Sequence, residues 1–481
     1  MTTEQEGTLT WRIRTMFAVG QIPEGIQTTS FGFFLLFFYN QVLGLSGFLT
    51  SVAIVVALLV DAISDPIIGS WSDSFKHRWG RRHPFMYAGA LPFALCFFLL
   101  FSPPQGLSEL QTFGWLLLFS VLTRTTQSIY SIPHTSLTAE LSIDYQERTL
   151  LSSLRGLFQS VGSLMVFLIA LQIYFGATPE YPNGQLNPEA YPRFATMFAL
   201  FIFLGVVLTA GGTHSHIPYL PQAPKEGNAF SAAEVWREAK QAFGFRSFRT
   251  IVSTAVLFGM TMGMVSALSI YLGTLYFQFS LTLISWSFPV STLGGFIGAG
   301  LAAPLGGLFQ EKRTLLIAGL LWYAFWNTMP IILSLLGLCP EPGNPALFYL
   351  VMTSNAICAM GIGLLMAMIG SMIADITDQH EEQYGSRSEG IYFAASSFAT
   401  KAISGFGVVI SGVVVDLAGI PKGATVETIE PESLRTLAMA MGPGVLVLIC
   451  ITAIVANFYD LSKARHEQIQ QQTRTNKLTA T

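Results

Sequence analysis

The sequence predicts an all-α membrane protein with twelve transmembrane helices, arranged as two six-helix bundles related by pseudo-symmetry. Three observations predict this class: an apolar composition, apolar segments that recur along the whole chain, and basic residues concentrated in alternate loops. Of the 481 residues, 51% are hydrophobic and only 11% are charged. Soluble domains carry about 25% charged residues, so the composition excludes an ordinary soluble globule.

The apolar segments are long enough to cross a bilayer, which takes about 20 residues. Several exceed that length, which indicates helix tilt or extension into the cytoplasm. The predicted spans are 11–40, 47–72, 83–102, 112–139, 149–175, 192–212, 248–278, 282–309, 314–337, 346–374, 388–418 and 434–459.

Basic residues set the orientation, because they favour cytoplasmic loops. With both termini inside, the predicted outer loops hold only Arg193, Lys422 and Arg435. Two further basic residues, Arg124 and Lys401, fall within spans. We therefore expect a monomeric, multi-pass protein of the cell (inner) membrane, embedded in the lipid bilayer with both termini cytoplasmic.

The longest predicted inner loop divides the chain into two halves. We expect an N-terminal bundle at 1–212, a cytoplasmic middle loop at 213–247, a C-terminal bundle at 248–462 and a cytoplasmic tail at 463–481. The four cysteines are far apart and form no CxxC pair, so no disulfide framework or zinc site is indicated. No nucleotide-binding or familiar hydrolase motif occurs, so we expect no enzyme activity, no cofactor and no nucleic-acid partner.

Two carboxylates stand out inside the second span. Asp61 lies near its middle and Asp65 follows four residues later, on the same helix face. A charge at membrane depth is costly and marks a functional site by default. Two such acids can bind Na⁺, or share a proton because like charges raise one pKa. The alternative for Asp65 is a packing or gating role before Pro66.

A short repeat links the two halves. Pro66-Ile-Ile-Gly69-Ser-Trp-Ser-Asp73 has a counterpart in Pro304-Leu-Gly-Gly307-Leu-Phe-Gln-Glu311, and basic residues follow both. Parallel repeats of this kind are typical of transporters whose halves are related by an axis along the membrane normal. We expect ion pairs of a cytoplasmic gate to involve Asp73, Arg81, Arg82, Glu311, Asp375, Asp378 and Arg387.

Two further charged residues lie within spans. Glu24 is in the first span beside Pro23 and Gly25, which weaken the helix. Arg124 is near the middle of the fourth span, where Ser128, Ser131 and Thr135 continue a polar face. An arginine binds carboxylate or phosphate with two hydrogen bonds, which would suit an anionic sugar. The alternative is an ion pair of Arg124 with Glu24 or Asp61.

The chain resembles the major facilitator superfamily, in particular the glycoside–pentoside–hexuronide:cation symporters of the melibiose-permease type. The matching blocks are Phe38-Tyr-Asn-Gln-Val-Leu-Gly44-Leu-Ser, Asp61-Ala-Ile-Ser-Asp65-Pro through Arg78-Trp-Gly-Arg81-Arg-His-Pro84-Phe, Ile132-Pro133 with Glu147-Arg-Thr and Arg155, and Ala374-Asp-Ile-Thr-Asp378 through Glu389-Gly to Lys401. They occur in the family's order and cover nearly the whole chain.

The resemblance implies roles for several residues. It makes Asp61 and Asp65 cation ligands, and Ser128 falls where a hydroxyl of the fourth helix completes that site. It directs Arg155 to the cavity and makes Lys401 a link between cation and sugar. Ser397 lies one turn before Lys401 on the same face.

The chain also departs from the melibiose type. Ser131 and Thr135 stand where that permease has an acidic sugar ligand and a tryptophan, and Gly25 stands near its other sugar-binding aspartate. Tyr130 and His134, on adjacent faces, could add stacking or hydrogen bonds. A galactoside site of the melibiose type is therefore not expected.

These patterns predict a secondary active transporter that couples symport of a sugar or glycoside to Na⁺ or H⁺ by alternating access. An anionic sugar would suit Arg124. The alternative is a lysophospholipid transporter of the same fold, because fold does not settle cargo. We expect substrate contacts from Glu24, Arg124, Tyr130, Ser131, Thr135, Arg155, Ser397 and Lys401.

Overall fold

Helices account for the regular secondary structure in the computed structural model, which describes residues 9–142, 144–220, 240–309, 311–384 and 389–479. The chain divides into two compact units. The first unit comprises Met1–Phe230 with the short segments Ser280–Ser285 and Pro421–Thr425. The second unit comprises Ser231–Phe279, Trp286–Ile420 and Val426–Thr481.

The helices of the first unit follow the predicted spans. They are α1 (Trp11–Val19), α2 (Ile22–Thr29), α3 (Gly47–Ser74), α4 (His83–Leu100), α5 (Glu109–Leu141), α6 (Tyr145–Met165) and α7 (Ala190–His214). Wider π-helical turns extend two of them, at Ser30–Leu35 and Phe38–Val42 after α2 and at Val166–Tyr174 after α6. Short 3₁₀ turns occur at Gly184–Leu186 and Ile217–Tyr219.

The helices from the second half of the chain are α8 (Arg246–Tyr271), α9 (Leu281–Ser285), α10 (Ser287–Leu308), α11 (Lys312–Leu335), α12 (Pro345–Tyr384), α13 (Glu389–Leu417), α14 (Pro431–Met439), α15 (Val445–Ala456) and α16 (Lys463–Thr479). The short α9 belongs to the first unit. π-helical turns follow α8 at Leu272–Tyr276 and α14 at Ala440–Gly444.

Nine helices among the described residues are long and apolar enough to cross a membrane. The predicted first, fourth and eleventh spans are not among the nine. The first is broken at Gly20–Gln21, and α5 is continuous but carries Arg124 and many hydroxyl and amide side chains. In α13 most side chains before Gly405 lie outside the described part of the chain, and the described apolar part is Gly405–Leu417. The predicted all-helical two-bundle class is confirmed.

The packing partners repeat in the two units. In the first unit α3 packs on α5, α2 on α6, and α4 on α7. In the second unit the equivalent pairs are α10 with α12, α8 with α13, and α11 with α15. Each unit therefore builds the same arrangement of six helical rods, which is the pseudo-symmetry that the repeated sequence motif predicts.

The segments that follow α2 and α8 also end in the same way. Leu43 N–H donates to the Phe38 carbonyl and Leu45 N–H to the Tyr39 carbonyl, at 3.1 and 2.9 Å. After α8, Phe277 N–H donates to Leu272 and Phe279 N–H to Gly273, both at 2.9 Å. The left-handed residue that ends each turn is Gly44, with φ of +80°, and Gln278, with φ of +56°.

Side-chain caps mark where α3, α5 and α6 of the first unit begin. Ser46 accepts from the Leu49 N–H at the start of α3, and Asp144 accepts from the Glu147 N–H at the start of α6. At the start of α5, Ser108 and Gln111 form a reciprocal capping box. These caps set the helices that carry the candidate site.

Glycines allow two helix pairs to touch through their backbones. A Cβ at Gly25 of α2 would overlap the Gln159 carbonyl of α6, and one at Gly162 of α6 would overlap the Ile22 carbonyl. In the second unit, a Cβ at Gly298 of α10 would overlap the Met360 carbonyl of α12. Close approach of this kind is how small residues drive helix association in membranes.

Candidate functional site

Asp61 of α3 lies against Ser128 of α5. The Ser128 hydroxyl donates to Asp61 Oδ1 at 2.9 Å. Both residues are buried, with exposed fractions of 5% and 2%. The serine oxygen keeps acceptor lone pairs, so the pair offers oxygen donors, the kind that hard cations prefer. The packing of α3 on α5 thus brings together two of the three residues predicted to bind the cation.

Asp65 lies one turn further along α3 and is half-buried. The next residue, Pro66, is inside the helix and has no N–H to donate to the Ala62 carbonyl. The Ala62 carbonyl receives no hydrogen bond from Pro66 and is therefore a candidate oxygen donor for a cation. The cation-binding role of Asp65 stays a prediction.

Arg124 stands one turn before Ser128 on α5 and faces the other oxygen of Asp61. Its Nη1 lies 3.4 Å from Asp61 Oδ2, and its guanidinium covers the ring of Phe31 at 4.9 Å. Strong guanidinium–carboxylate bonds are about 2.7–2.9 Å long, so this ion pair is loose. Arg124 Nε is buried with no hydrogen-bond partner among the described residues. Of the predicted alternatives, the arrangement contains the ion pair with Asp61.

Arg155 of α6 reaches across to α5. Its Nη2 donates to Thr135 Oγ1 at 2.8 Å and its Nη1 to Thr138 Oγ1 at 3.3 Å. The close approach of α2 and α6 brings Glu24 to the same place, where the Gln21 amide lies 2.9 Å from Glu24 Oε2 and 3.3 Å from Arg155 Nη2. Three predicted substrate residues, Glu24, Thr135 and Arg155, therefore form one polar cluster.

Tyr130 and His134 face the break in the first helix. The Tyr130 hydroxyl donates to the Gly20 carbonyl, and His134 Nε2 lies 2.8 Å from the Phe17 carbonyl. Both side chains are buried, with exposed fractions of 1% and 0%. Their contacts are to main-chain groups of the break, whereas Ser131 beside them is half-buried.

Three predicted residues fall where the structure gives no side-chain detail. Arg387 lies outside the described residues. Ser397 and Lys401 lie on α13, but their side chains are outside the described part of the chain.

An ion-pair cluster joins the C-terminal ends of α3 and α5. Arg82 donates from Nε to Glu140 Oε1 at 2.8 Å, from Nη1 to Ser72 Oγ at 2.7 Å, and from Nη2 to Asp73. Arg81 Nη2 donates to the same Glu140 oxygen at 2.8 Å. The predicted gate residues Asp73, Arg81 and Arg82 thus meet within the first unit, around an acid of α5.

The second unit has an equivalent cluster. Lys312 Nζ donates to Asp375 Oδ2 at 2.6 Å and to Ser371 Oγ at 2.7 Å. His466 Nε2 lies 3.1 Å from Asp378 Oδ2. The Lys463 N–H donates to Glu311 Oε2 at 3.2 Å. In both units, a basic residue that follows the repeated motif binds an acid near the C-terminal end of the matching helix, Glu140 on α5 and Asp375 on α12.

Three residues of these clusters escaped the sequence analysis: Glu140, His466 and Gln21. Glu140 and His466 are ordinary polar residues near helix ends, whereas Gln21 lies within the predicted first span. Glu140 had one usable signal, since it occupies in the first half the place that Asp375 occupies in the second. Pro23 and Gly25 predict a weakened helix near Gln21, but not that Gln21 lies between Glu24 and His134.

Comparisons with known proteins agree with this architecture. The model of the family described as MFS/sugar transport protein matches residues 16–463. The chain is 24% identical to the isoprimeverose transporter of Lactiplantibacillus pentosus, over 94% of this chain and 89% of that protein. It is 23% identical to the putative glycoside/cation symporter YagG of Escherichia coli (strain K12), over 96% and 95%.

A vertebrate relative is equally similar. The sodium-dependent lysophosphatidylcholine symporter 1-A of Danio rerio is 24% identical, over 96% of this chain and 88% of that protein. Among solved structures, a D-xylose–proton symporter superposes with a TM-score of 0.66 at 14% identity, covering 93% of this chain and 97% of that chain.

Proposed function

Because the chain belongs to the MFS sugar transport family, as a member of its glycoside–pentoside–hexuronide:cation symporters, we propose that it moves a sugar or glycoside together with Na⁺ or H⁺ by alternating access. At a coarser level, it is a multi-pass membrane transporter. The finer proposals are a monomer in the cell (inner) membrane, with both termini cytoplasmic and bundles at 1–212 and 248–462.

One observation carries this proposal: Asp61 divides its two oxygens between the Ser128 hydroxyl and the Arg124 guanidinium. A cation arriving at Asp61 competes with the loose contact to Arg124. Once displaced from Asp61, the guanidinium can bind an anionic group of the substrate. The two ligands would then favour each other by roughly 1–3 kcal/mol, the usual range of coupling between sites.

The packing of the first helix supports an acidic sugar rather than a galactoside of the melibiose type. A side chain at Gly25 would overlap the Gln159 carbonyl, so an aspartate cannot stand there. Two guanidinium groups lie beside predicted site residues, Arg124 next to Asp61 and Arg155 next to Thr135. Positive charge suits a carboxylate such as that of a hexuronide, and we propose that substrate class.

The lysophospholipid alternative also has a specific support, the similarity to the sodium-dependent lysophosphatidylcholine symporter. A phosphate headgroup would suit the same arginines. The two cargoes differ in their apolar part, so a comparison of D-glucuronate, D-xylose and lysophosphatidylcholine in one uptake assay separates them. Uptake of lysophosphatidylcholine alone would overturn the sugar assignment.

The decisive experiment is concentrative uptake into proteoliposomes driven by a Na⁺ or a proton gradient. Asp61→Asn keeps the hydrogen bond acceptor for Ser128 but removes the charge, so we expect gradient-driven accumulation to fall at least tenfold. Glu189→Gln is the matched control, because Glu189 forms only an exposed ion pair with Arg193. Accumulation by Asp61→Asn at the level of the control would reject the cation site.

A further inference from the structure

The break in the first helix holds a second group of ionisable side chains, apart from Asp61. The Gln21 amide lies between Glu24 and His134. One amide atom is 2.9 Å from Glu24 Oε2, and the other is 3.2 Å from His134 Nδ1. Gln21 and His134 are 2% and 0% exposed, so each contact must be satisfied within the cluster.

The far nitrogen of His134 fixes the protonation of the ring. Nε2 lies 2.8 Å from the Phe17 carbonyl oxygen, which can only accept. Nε2 therefore carries a hydrogen, and a neutral His134 presents a lone pair at Nδ1. Only an imidazolium would present a hydrogen on both nitrogens.

Each orientation of the Gln21 amide requires a proton on one of its two neighbours, Glu24 or His134. With its nitrogen toward His134, the amide donates to Nδ1, and its oxygen then faces Glu24 Oε2 at 2.9 Å. Two acceptors meet there unless Glu24 is a carboxylic acid. With its nitrogen toward Glu24, the amide donates to the carboxylate, and its oxygen faces His134 Nδ1 at 3.2 Å. Two acceptors meet there unless His134 is an imidazolium.

We propose that Glu24, Gln21 and His134 form a proton-binding site that holds one proton, carried by Glu24 or by His134. A half-turn of the Gln21 amide accompanies its transfer between the two. Ionised Glu24 with neutral His134 leaves a buried acceptor against an acceptor in either orientation, so binding of the proton completes the hydrogen bonds. Chains of acidic and histidine side chains within spans are the usual elements of proton relays.

Charged groups around the cluster affect both of its forms, the one with the proton on Glu24 and the one with the proton on His134. Arg155 of α6 repels an imidazolium and so favours the proton on Glu24. The same Arg155 donates to the Gln21 oxygen, at 3.3 Å, only when the proton is on His134. Tyr130 of α5 stacks on His134 at 5.4 Å, and His83 of α4 also faces His134.

The test is infrared difference spectroscopy on the purified full-length chain in lipid nanodiscs, comparing alkaline with mildly acidic pH. We expect a carbonyl band of a protonated carboxylic acid that shifts in D₂O, disappears in Glu24→Gln and persists in Glu147→Gln. Glu147 is the matched control, because its carboxylate pairs with Arg14 outside the cluster. Nitrogen NMR of labelled histidines reports the other form, as an imidazolium signal lost in His134→Gln.

Either signal, assigned to its residue, supports the site. If Glu24 is ionised and His134 is neutral throughout the pH range in which the wild-type chain accumulates substrate, the proposal is overturned. Asp61→Asn separates this result from the proposed function, since it should lower gradient-driven accumulation at least tenfold and leave both spectroscopic signals unchanged. We expect the Glu24→Gln variant to fold, because the glutamine amide at this position can donate to Gln21 as the carboxylic acid would.

Discussion

At the residue scale, the carboxylates of Asp61 and Glu140 are each bound by two side chains. Asp61 is bound by a hydroxyl on one side and a guanidinium on the other. Glu140 receives hydrogen bonds from two arginines on one of its oxygens. In a medium that cannot solvate charge, the removal of one member leaves the others uncompensated.

Glu140 therefore lends itself to a stability test. Glu140→Gln removes the negative charge between Arg81 and Arg82, which are largely buried. We expect the free energy of unfolding to fall by about 3 kcal/mol, as for a broken buried ion pair. Thermal unfolding in detergent measures the change.

The control for this substitution is Glu189→Gln. Its ion pair with Arg193 is exposed, with side-chain fractions of 77% and 71%, so a change within about 0.5 kcal/mol is expected. Equal effects of the two substitutions would show that the Glu140 cluster does not hold the ends of α3 and α5 together.

At the element scale, close backbone contact limits which side chains fit between neighbouring helices. The contact of Gly298 with the Met360 carbonyl allows no side chain. We expect Gly298→Ala to reduce the free energy of unfolding by about 1–3 kcal/mol, the range for overpacking a tight interface. Size-exclusion profiles and thermal unfolding would register the loss.

Gly300 offers a control on the same helix. A Cβ at Gly300 meets nothing within 4 Å, so Gly300→Ala should be neutral or stabilise the helix by about 0.5–1 kcal/mol. If both alanines destabilise equally, the close contact of Gly298 with α12 does not explain the effect.

The matched endings of the first and seventh rods give a second prediction for elements. Gly44 and Gln278 both have left-handed backbones, which cost a residue with a side chain about 1–2 kcal/mol. Gly44→Ala should therefore destabilise the chain by about that amount, and Gln278→Gly should be neutral or slightly stabilising. The unfolding midpoint should fall in Gly44→Ala and stay level or rise in Gln278→Gly; equal losses in the two variants would contradict this explanation.

The sequence predicted the positions of the helices well, but not the points at which they are broken. Long apolar runs with capping residues located most rods to within a few residues, because membrane thickness dictates their length. The break at Gly20–Gln21 followed from no such rule, and the cluster of Gln21, Glu24 and His134 depends on it. Likewise, the meeting of Asp61 with Ser128 could be expected from the family resemblance, whereas the partnership of Arg82 with Glu140 required the helix packing.

At the scale of the whole molecule, cation binding should stabilise the folded chain. A ligand that binds only the native state adds about 2.7 kcal/mol to the free energy of unfolding at 100 times its Kd. If Na⁺ is the coupling ion, a titration with NaCl should raise the unfolding temperature of the wild-type chain more than choline chloride does. Asp61→Asn should abolish the difference.

The choline comparison removes the general effect of ionic strength, and Glu189→Gln supplies the protein control. A Na⁺-specific shift that survives in Asp61→Asn would place the ion elsewhere. The absence of any Na⁺-specific shift in the wild-type chain would assign the coupling role to protons.

The segments that follow α2 and α8 end in the same backbone geometry, although their sequences differ. Phe38 to Leu45 and Leu272 to Phe279 have no identical residue at any of eight aligned positions, yet they close with the same two main-chain hydrogen bonds. Bonds between peptide groups survive the replacement of every side chain around them. If the two halves arose by duplication of a half-length transporter, their backbone geometry would still show it. Substitutions could meanwhile have removed every sign of it from an alignment of the two halves.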